Sequence, residues 1–129
     1  MNVSANQTLI RRILYANAIF SGVSGILFVL ASNPIAKFIG LDASLPILII
    51  GIGLIGYAAL IYSNVSRREI SPSFVLIAVI GDTSWVLLSI LLLTTGWVSF
   101  SMEGKWLVGS IAMIVDIFAT LQFLEWRKM

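Results

Sequence analysis

The sequence contains no cysteine and no histidine. Without thiols the chain cannot form disulfides, thiol redox relays, iron–sulfur clusters or thiolate zinc sites. Without imidazoles it cannot form histidine-ligated haem, imidazole metal sites or histidine-based catalytic triads. We therefore predict no metal site, no cofactor and no catalytic residue, and we expect that the protein is not an enzyme.

Charged residues are scarce as well. They make up 11% of the 129 residues, whereas hydrophobic residues make up 59%, and the mean hydropathy is +1.02. A soluble domain carries about 25% charged residues to keep its surface hydrated. Lipid is therefore the expected partner for most of the surface, and no nucleic-acid partner is predicted. The length suits one domain that spans residues 1–129.

The sequence contains few charges and several long apolar stretches. A helix needs about 20 apolar residues to cross the hydrocarbon core of a bilayer. Four stretches meet this length, namely residues 11–31, 46–64, 72–95 and 105–125. Because every backbone polar group in lipid must be paired within the protein, these stretches predict an all-α bundle of four transmembrane helices. Residues 34–41 favour an additional short helix at the membrane interface.

The basic residues predict an orientation for this bundle. Six of the eight flank the two termini and the middle loop, namely Arg11, Arg12, Arg67, Arg68, Arg127 and Lys128. Only Lys37 and Lys105 lie on the other side, so the positive-inside rule places both termini in the cytoplasm. An alternative is that Arg11, Arg12 and the apolar run up to Ala31 form a cleaved signal peptide. That run is longer than a usual signal core, and cleavage would leave three helices.

Two acids, Asp82 and Asp116, lie inside the predicted spans. Each is ten residues from the basic end of its helix, or about 15 Å deep, so we expect both near the midplane at similar heights. An ionised Asp there costs about 2.5–3.5 kcal/mol, and no Lys or Arg lies deep enough to pair with it. Because intramembrane acids often mark ion and substrate pathways, we predict that they bind a proton, a cation or a ligand head group. The alternative is that they form interhelical hydrogen bonds alone.

Polar side chains on the other two helices extend this hypothesis. Asn17 and Tyr57 lie about 10 Å from the basic ends of their helices, at the rise of 1.5 Å per residue. The sequence therefore predicts a polar cluster that all four helices contribute to and that opens toward the cytoplasm. We take Asp82, Asp116, Asn17 and Tyr57 as the candidate ligand- or proton-binding residues.

Glycines in the spans predict where helices pack. Residues 51–56 match the letters of the dinucleotide-binding pattern G-x-G-x-x-G, but they lie within an apolar span and not after a strand, so we reject nucleotide binding. Small residues let neighbouring helices approach closely in lipid. We therefore predict helix contacts at Gly53 and Gly56, at Gly22 and Gly25, and at Gly109 and Ala112.

The first hairpin resembles a known group of proteins. Residues 12–25, RILYANAIFSGVSG, are followed by Asn33-Pro34 and by residues 38–41, FIGL. This pattern resembles small bacterial four-helix membrane proteins that are loosely related to the DoxX-like group. The resemblance implies a four-helix bundle in the bacterial inner membrane and no particular chemistry. The length and topology are also similar to those of small multidrug resistance exporters, but those have an essential glutamate in the first helix, where this chain has no acid.

Three functions remain as hypotheses. The first is a binding or transport protein that uses Asp82 and Asp116, with a homodimer expected because four helices enclose little room. The second is a non-catalytic accessory subunit of a larger membrane complex, which would use its glycine faces for contact. The third, an intramembrane enzyme with the two acids as an acid–base pair, ranks last because the chain has no nucleophile motif and no metal ligand set.

Overall fold

A computed structural model describes residues 7–129 of the chain, and within this range it contains five α-helices and no strand. They are α1 (Thr8–Leu30), α2 (Ser32–Ile39), α3 (Leu45–Val65), α4 (Pro72–Thr95) and α5 (Met102–Trp126). All except α2 are long and apolar enough to cross a membrane. The predicted all-α fold with four transmembrane helices is therefore confirmed, as is the short helix after the first span.

Helix ends follow local sequence signals. Pro72 is the first residue of α4, where a missing backbone N–H does no harm. Gly40 and Gly96 end α2 and α4 with φ of 89° and 72°, a left-handed conformation in which glycine is least strained. The Ser101 hydroxyl accepts a hydrogen bond from the backbone N–H of Gly104 and so caps α5.

The four long helices form two hairpins. Helix α1 packs along α3, helix α4 packs along α5, and the hairpins meet mainly through α1 and α5. The closest approach of α1 and α3 is at Gly25 and Gly51. A Cβ atom added to Gly25 would lie 2.7 Å from the Gly51 carbonyl oxygen, and one added to Gly51 would lie 2.9 Å from the Gly25 carbonyl oxygen. Both positions require glycine for this contact.

The predicted packing residues are therefore wrong in part. Ala112 is buried in the bundle, but Gly53, Gly56 and Gly109 have open space where a Cβ atom would lie. Two residues turn a helix by about 200°, so Gly53 points away from the contact that Gly51 makes. Of the three glycines in the motif at residues 51–56, Gly51 makes the contact with α1, and Gly53 and Gly56 do not.

The two ends of the bundle differ. The end with Arg11, Arg67 and Arg127, called the basic end, is closed by a hydrophobic core from α1, α3, α4 and the loop before α4. That core consists of Ile10, Leu14, Ala18, Ile61, Val65, Ile70, Phe74, Val75 and Ala78. The guanidinium of Arg11 donates to the carbonyl oxygens of Val65, Arg67 and Arg68. It thereby satisfies carbonyls that the end of a helix leaves unpaired.

The opposite end, called the α2 end, is covered by the short helix. The backbone N–H of Ser101 donates to the carbonyl oxygen of Ile39 at 2.9 Å, and its hydroxyl donates to that of Phe38 at 2.6 Å. A Cβ atom added to Gly104 would lie 2.6 Å from the Ile39 carbonyl oxygen. Helix α2 is thus fixed to the first turn of α5.

Candidate functional site

A buried polar cluster lies in the interior of the bundle. At its centre is Asp82, on α4, whose side chain is 4% exposed. The other helices each contribute to the cluster: Asn17 and Ser21 come from α1, Tyr57 from α3 and Gln122 from α5. The structure therefore confirms that three of the four candidate residues, Asn17, Tyr57 and Asp82, come together.

Three uncharged donors bind the Asp82 carboxylate. The Nδ2 of Asn17 and the Nε2 of Gln122 donate to Oδ2 at 2.7 and 2.8 Å. The hydroxyl of Tyr57 donates to Oδ1 at 3.0 Å. Asn17 also donates to the Oε1 of Gln122 at 2.8 Å and accepts from Ser21 at 3.1 Å, so its amide is fixed on both sides.

This donor set supplies hydrogen bonds to the Asp82 carboxyl group but no positive charge. A carboxylate has about four lone-pair positions, and three of them accept the bonds from Asn17, Gln122 and Tyr57. Each donor is a neutral amide or hydroxyl, so the negative charge is hydrogen-bonded but not paired with a cation within residues 7–129. One position on Oδ1 is left for a further partner.

Asp116 is not part of this cluster. It lies on the exposed surface of α5, and within residues 7–129 no side chain pairs with it. Asp82 lies ten residues from the basic end of α4 and Asp116 ten residues from the basic end of α5, so the prediction of similar heights stays a prediction. The prediction that both acids lie in one cluster is wrong, because Asp82 faces the interior of the bundle whereas Asp116 faces outward.

Gln122 was missing from the candidates. It is fully buried and bonds to both Asn17 and Asp82. It lies only four residues before the end of α5, where a polar residue is easily taken for one at the membrane boundary. A useful signal was its spacing of seven residues from Val115, which is also buried, because residues two turns apart share a helix face.

A cavity of about 310 Å³ adjoins Asp82. Aromatic rings make up much of its wall, namely those of Phe20, Phe28, Tyr57 and Trp85. A carboxylate beside several aromatic faces combines two features that attract cations, since ring faces carry partial negative charge.

A second, apolar cavity of about 390 Å³ lies closer to the α2 end. It shares Phe28, Ile50, Trp85 and Ile111 with the first cavity, so the two adjoin. Helix α2 contributes Ile35 and Ile39 to its wall. Together the cavities form a cleft that has its acid at the Asp82 end and is largely apolar elsewhere; we call this the Asp82 cleft.

The cleft opens sideways between α3 and α4. Ile50 and Gly53 on α3, and Gly81 and Leu88 on α4, line the cavities and are exposed on the surface of the bundle. Toward the basic end the hydrophobic core closes the bundle. The prediction that the cluster opens toward the basic end is therefore wrong, because large apolar side chains fill the space between the helices there.

Trp85 has an unpaired donor. Its indole Nε1 is buried and has no hydrogen-bond partner in the described part of the chain. The indole borders both cavities. Buried donors are normally paired, so an unpaired one beside a cleft indicates room for an acceptor from outside the chain.

Comparison with protein-family models, curated proteins and solved structures gives no match for this chain. The resemblance to the DoxX-like group therefore has no support beyond the shared architecture. What the fold defines is a small all-α membrane protein with four apolar helices that suit contact with a lipid bilayer.

Proposed function

We propose that this protein binds a lipophilic cation in the Asp82 cleft, with Asp82 as its counter-ion. The observation that supports this most is the Asp82 carboxylate itself, which three neutral donors hold beside an aromatic-lined cavity. A purely structural acid would be expected to have all its acceptor positions used within the bundle. This one keeps an unused acceptor position on Oδ1, and Asp82 is part of the cavity wall.

The position of the opening supports a lipophilic ligand. The cleft opens between α3 and α4, along the flank of the bundle that lipid would cover. A ligand that reaches it there must first dissolve in the bilayer. The walls away from Asp82 are apolar, and burial of apolar ligand surface against them contributes about 25 cal/mol per Å².

The charge balance supports a cationic ligand. Neither Lys nor Arg lines the Asp82 cleft. An ammonium group beside Oδ1 would supply the missing positive charge. The rings of Phe20, Phe28, Tyr57 and Trp85 favour quaternary or tertiary ammonium groups, which aromatic cages bind through cation–π interactions.

The orientation and the type of membrane are part of the proposal. With the basic end in the cytoplasm, as the positive-inside rule favours, the Asp82 cleft lies toward the outer half of the bilayer. The bacterial inner membrane is proposed on the resemblance of the first hairpin alone. A C-terminal green fluorescent protein fusion should fluoresce and a C-terminal alkaline phosphatase fusion should be inactive; the opposite pair of results would reverse the orientation.

Calorimetric titration with two matched probes tests the binding function. Benzyltrimethylammonium is the cation, and neopentylbenzene is its neutral isostere with carbon in place of nitrogen. The wild-type protein and the Asp116→Asn variant should bind the cation and not the isostere, whereas Asp82→Asn should bind neither. Equal binding of both probes, or equal binding by the two Asn variants, would contradict a role for Asp82 as counter-ion.

The exposed surface of α5 favours a second candidate, an accessory subunit or homodimer. Asp116 faces outward with no partner in residues 7–129, and Gly109, two turns earlier, has open space above it. A second transmembrane chain on this surface would bury the acid. Native mass spectrometry should then detect a larger assembly that Gly109→Leu disrupts and Gly56→Leu does not. A monomer in gentle detergent would contradict this candidate.

A further inference from the structure

The hydroxyl of Tyr57 lies between two acceptors. Its oxygen is 3.0 Å from Oδ1 of Asp82 and 3.2 Å from the carbonyl oxygen of Ala78. A hydroxyl has one proton, so it donates to one of these oxygens at a time, and its own oxygen can accept in return. The same atomic positions therefore allow two hydrogen-bond arrangements.

The charge on Asp82 selects between these arrangements. When Asp82 is ionised, the Tyr57 hydroxyl donates to Oδ1, since bonds to a charged acceptor are the stronger ones. When Asp82 is protonated, Oδ1–H donates to the Tyr57 oxygen, and the Tyr57 hydroxyl turns to Ala78. The added proton belongs on Oδ1 because Oδ2 already accepts N–H bonds from Asn17 and Gln122.

We propose that the Asp82 cleft exchanges one proton for one cation; this rests on the proposed function. In the empty site Asp82 is a neutral acid. On binding, the Oδ1–H bond breaks, the proton leaves to the solvent and the ammonium group of the ligand takes its place beside the carboxylate. The net charge of the site is unchanged, and Tyr57 shifts its donated bond from Ala78 to Asp82 without movement of heavy atoms.

Within residues 7–129 no charged group bonds to Asp82. Its hydrogen-bond partners are Asn17 from α1, Tyr57 from α3 and Gln122 from α5, and Ser21 from α1 bonds in turn to Asn17. All are uncharged at neutral pH, and Asp116 points outward. One acid therefore accounts for the whole exchange, which fixes the expected stoichiometry at one proton per cation.

The Asp82→Asn variant imitates the protonated state. The Asn oxygen can accept from Asn17 and Gln122 in the place of Oδ2, while its Nδ2 donates to the Tyr57 oxygen in the place of Oδ1–H. Every bond of the neutral arrangement is kept. This variant should therefore fold and should neither release a proton nor bind the cation.

Titration of benzyltrimethylammonium in two buffers with different ionisation enthalpies counts the protons released by the wild-type protein. At acidic pH we expect about one proton per bound cation, and an affinity that falls about tenfold per unit decrease in pH, as linkage requires. Binding without proton release, or an affinity independent of pH, would overturn the exchange and leave the binding function standing. No binding at any pH would overturn the binding function itself.

Infrared difference spectra of the same titration test the role of Tyr57. Addition of the cation should remove the carbonyl band of a protonated carboxylic acid and shift the C–O band of one tyrosine. Both changes should be absent in Asp82→Asn, and the tyrosine change should be absent in Tyr57→Phe. Loss of the acid band without any tyrosine change would overturn the proposed switch of the Tyr57 hydrogen bond.

Discussion

Asp82 is an acid in an apolar helix whose hydrogen-bond donors are all uncharged. Exposure of an ionised Asp to the middle of a bilayer costs about 2.5–3.5 kcal/mol, and a hydrogen bond to a charged group returns about 1.5–3 kcal/mol. Three such bonds explain how the bundle can hold the acid in either charge state.

Two substitutions of Asp82 distinguish the contribution of its charge to the stability of the protein from that of its hydrogen bonds. Asp82→Asn should unfold at nearly the wild-type temperature in detergent micelles because every donor keeps an acceptor. Asp82→Leu should lower the free energy of unfolding by about 1–3 kcal/mol, because Asn17 and Gln122 lose the acceptor that they share. Asp116→Leu is the control and should not destabilise the protein, since this residue is exposed. Equal stability of the two Leu variants would contradict the role of the cluster.

Gln122 should matter as much for stability as a central core residue does. Gln122→Leu keeps a similar volume but removes one donor to Asp82 and one acceptor for Asn17, and it should destabilise the protein by about 1–3 kcal/mol. Thr120→Leu, at an exposed position of the same helix, is the matched control. Thermal unfolding followed by circular dichroism in micelles checks both, and a Gln122→Leu variant as stable as the control would show that the amide bonds contribute little.

For single residues, the sequence predicted the members of the polar cluster only in part. Asn17, Tyr57 and Asp82 could be predicted as one cluster because each is a polar residue deep in an apolar span. Asp116 satisfies the same criterion and faces outward, whereas Gln122 lies near a helix end and is buried. Depth along a helix can be read from residue numbers, but the side that a residue faces depends on how the helices are rotated and staggered.

At the scale of the helices, the positions and lengths of the four apolar stretches predicted the transmembrane helices well. The main differences lie at helix ends, where α1 begins at Thr8 and α5 at Met102, because the first turn of a membrane helix tolerates polar residues. The contact faces were only partly predictable. Gly25 was predicted to make a contact and, together with Gly51, makes the closest approach of α1 and α3. Gly53 and Gly56 were predicted as well and make none.

Alanine substitutions test this helix contact directly. Gly25→Ala places its Cβ atom 2.7 Å from the Gly51 carbonyl oxygen, so α1 and α3 must separate and the protein should lose stability. Gly56→Ala meets no atom within 4 Å and should be neutral or slightly stabilising, because alanine is favoured over glycine in helices. Unfolding in mixed micelles measures both, and an equal response of the two variants would contradict the assigned contact.

At the scale of the whole molecule, the two ends of the bundle differ. The hydrophobic core closes the basic end, whereas the Asp82 cleft is open between α3 and α4 toward the α2 end. The hydrophobic core joins α3 and α4 near Ile61, Val65 and Val75, and the Tyr57 hydroxyl joins them next to Asp82. Beyond Tyr57 the Asp82 cleft lies between the two helices. Neither hydropathy nor charge could predict this asymmetry, because the residues of the core and those of the cleft walls are equally apolar.

Filling the opening should block binding without harm to the fold. Gly53→Leu adds a side chain at the side of α3 that lines the cleft, where a Cβ atom meets open space. We expect it to reduce benzyltrimethylammonium affinity at least tenfold, which corresponds to about 1.4 kcal/mol. Gly56→Leu, one turn nearer the basic end and outside the walls of both cavities, is the control and should bind normally. Unchanged affinity in Gly53→Leu would exclude access between α3 and α4.

Native mass spectrometry of the protein extracted gently from its own membrane tests the central claim most directly. We predict a bound small cation on the wild-type protein and on Asp116→Asn, and none on Asp82→Asn, and the mass of that cation would identify the natural ligand. A protein that contains no small molecule, or one whose bound molecule is equally retained by Asp82→Asn, would contradict the claim that the Asp82 cleft is a cation-binding site.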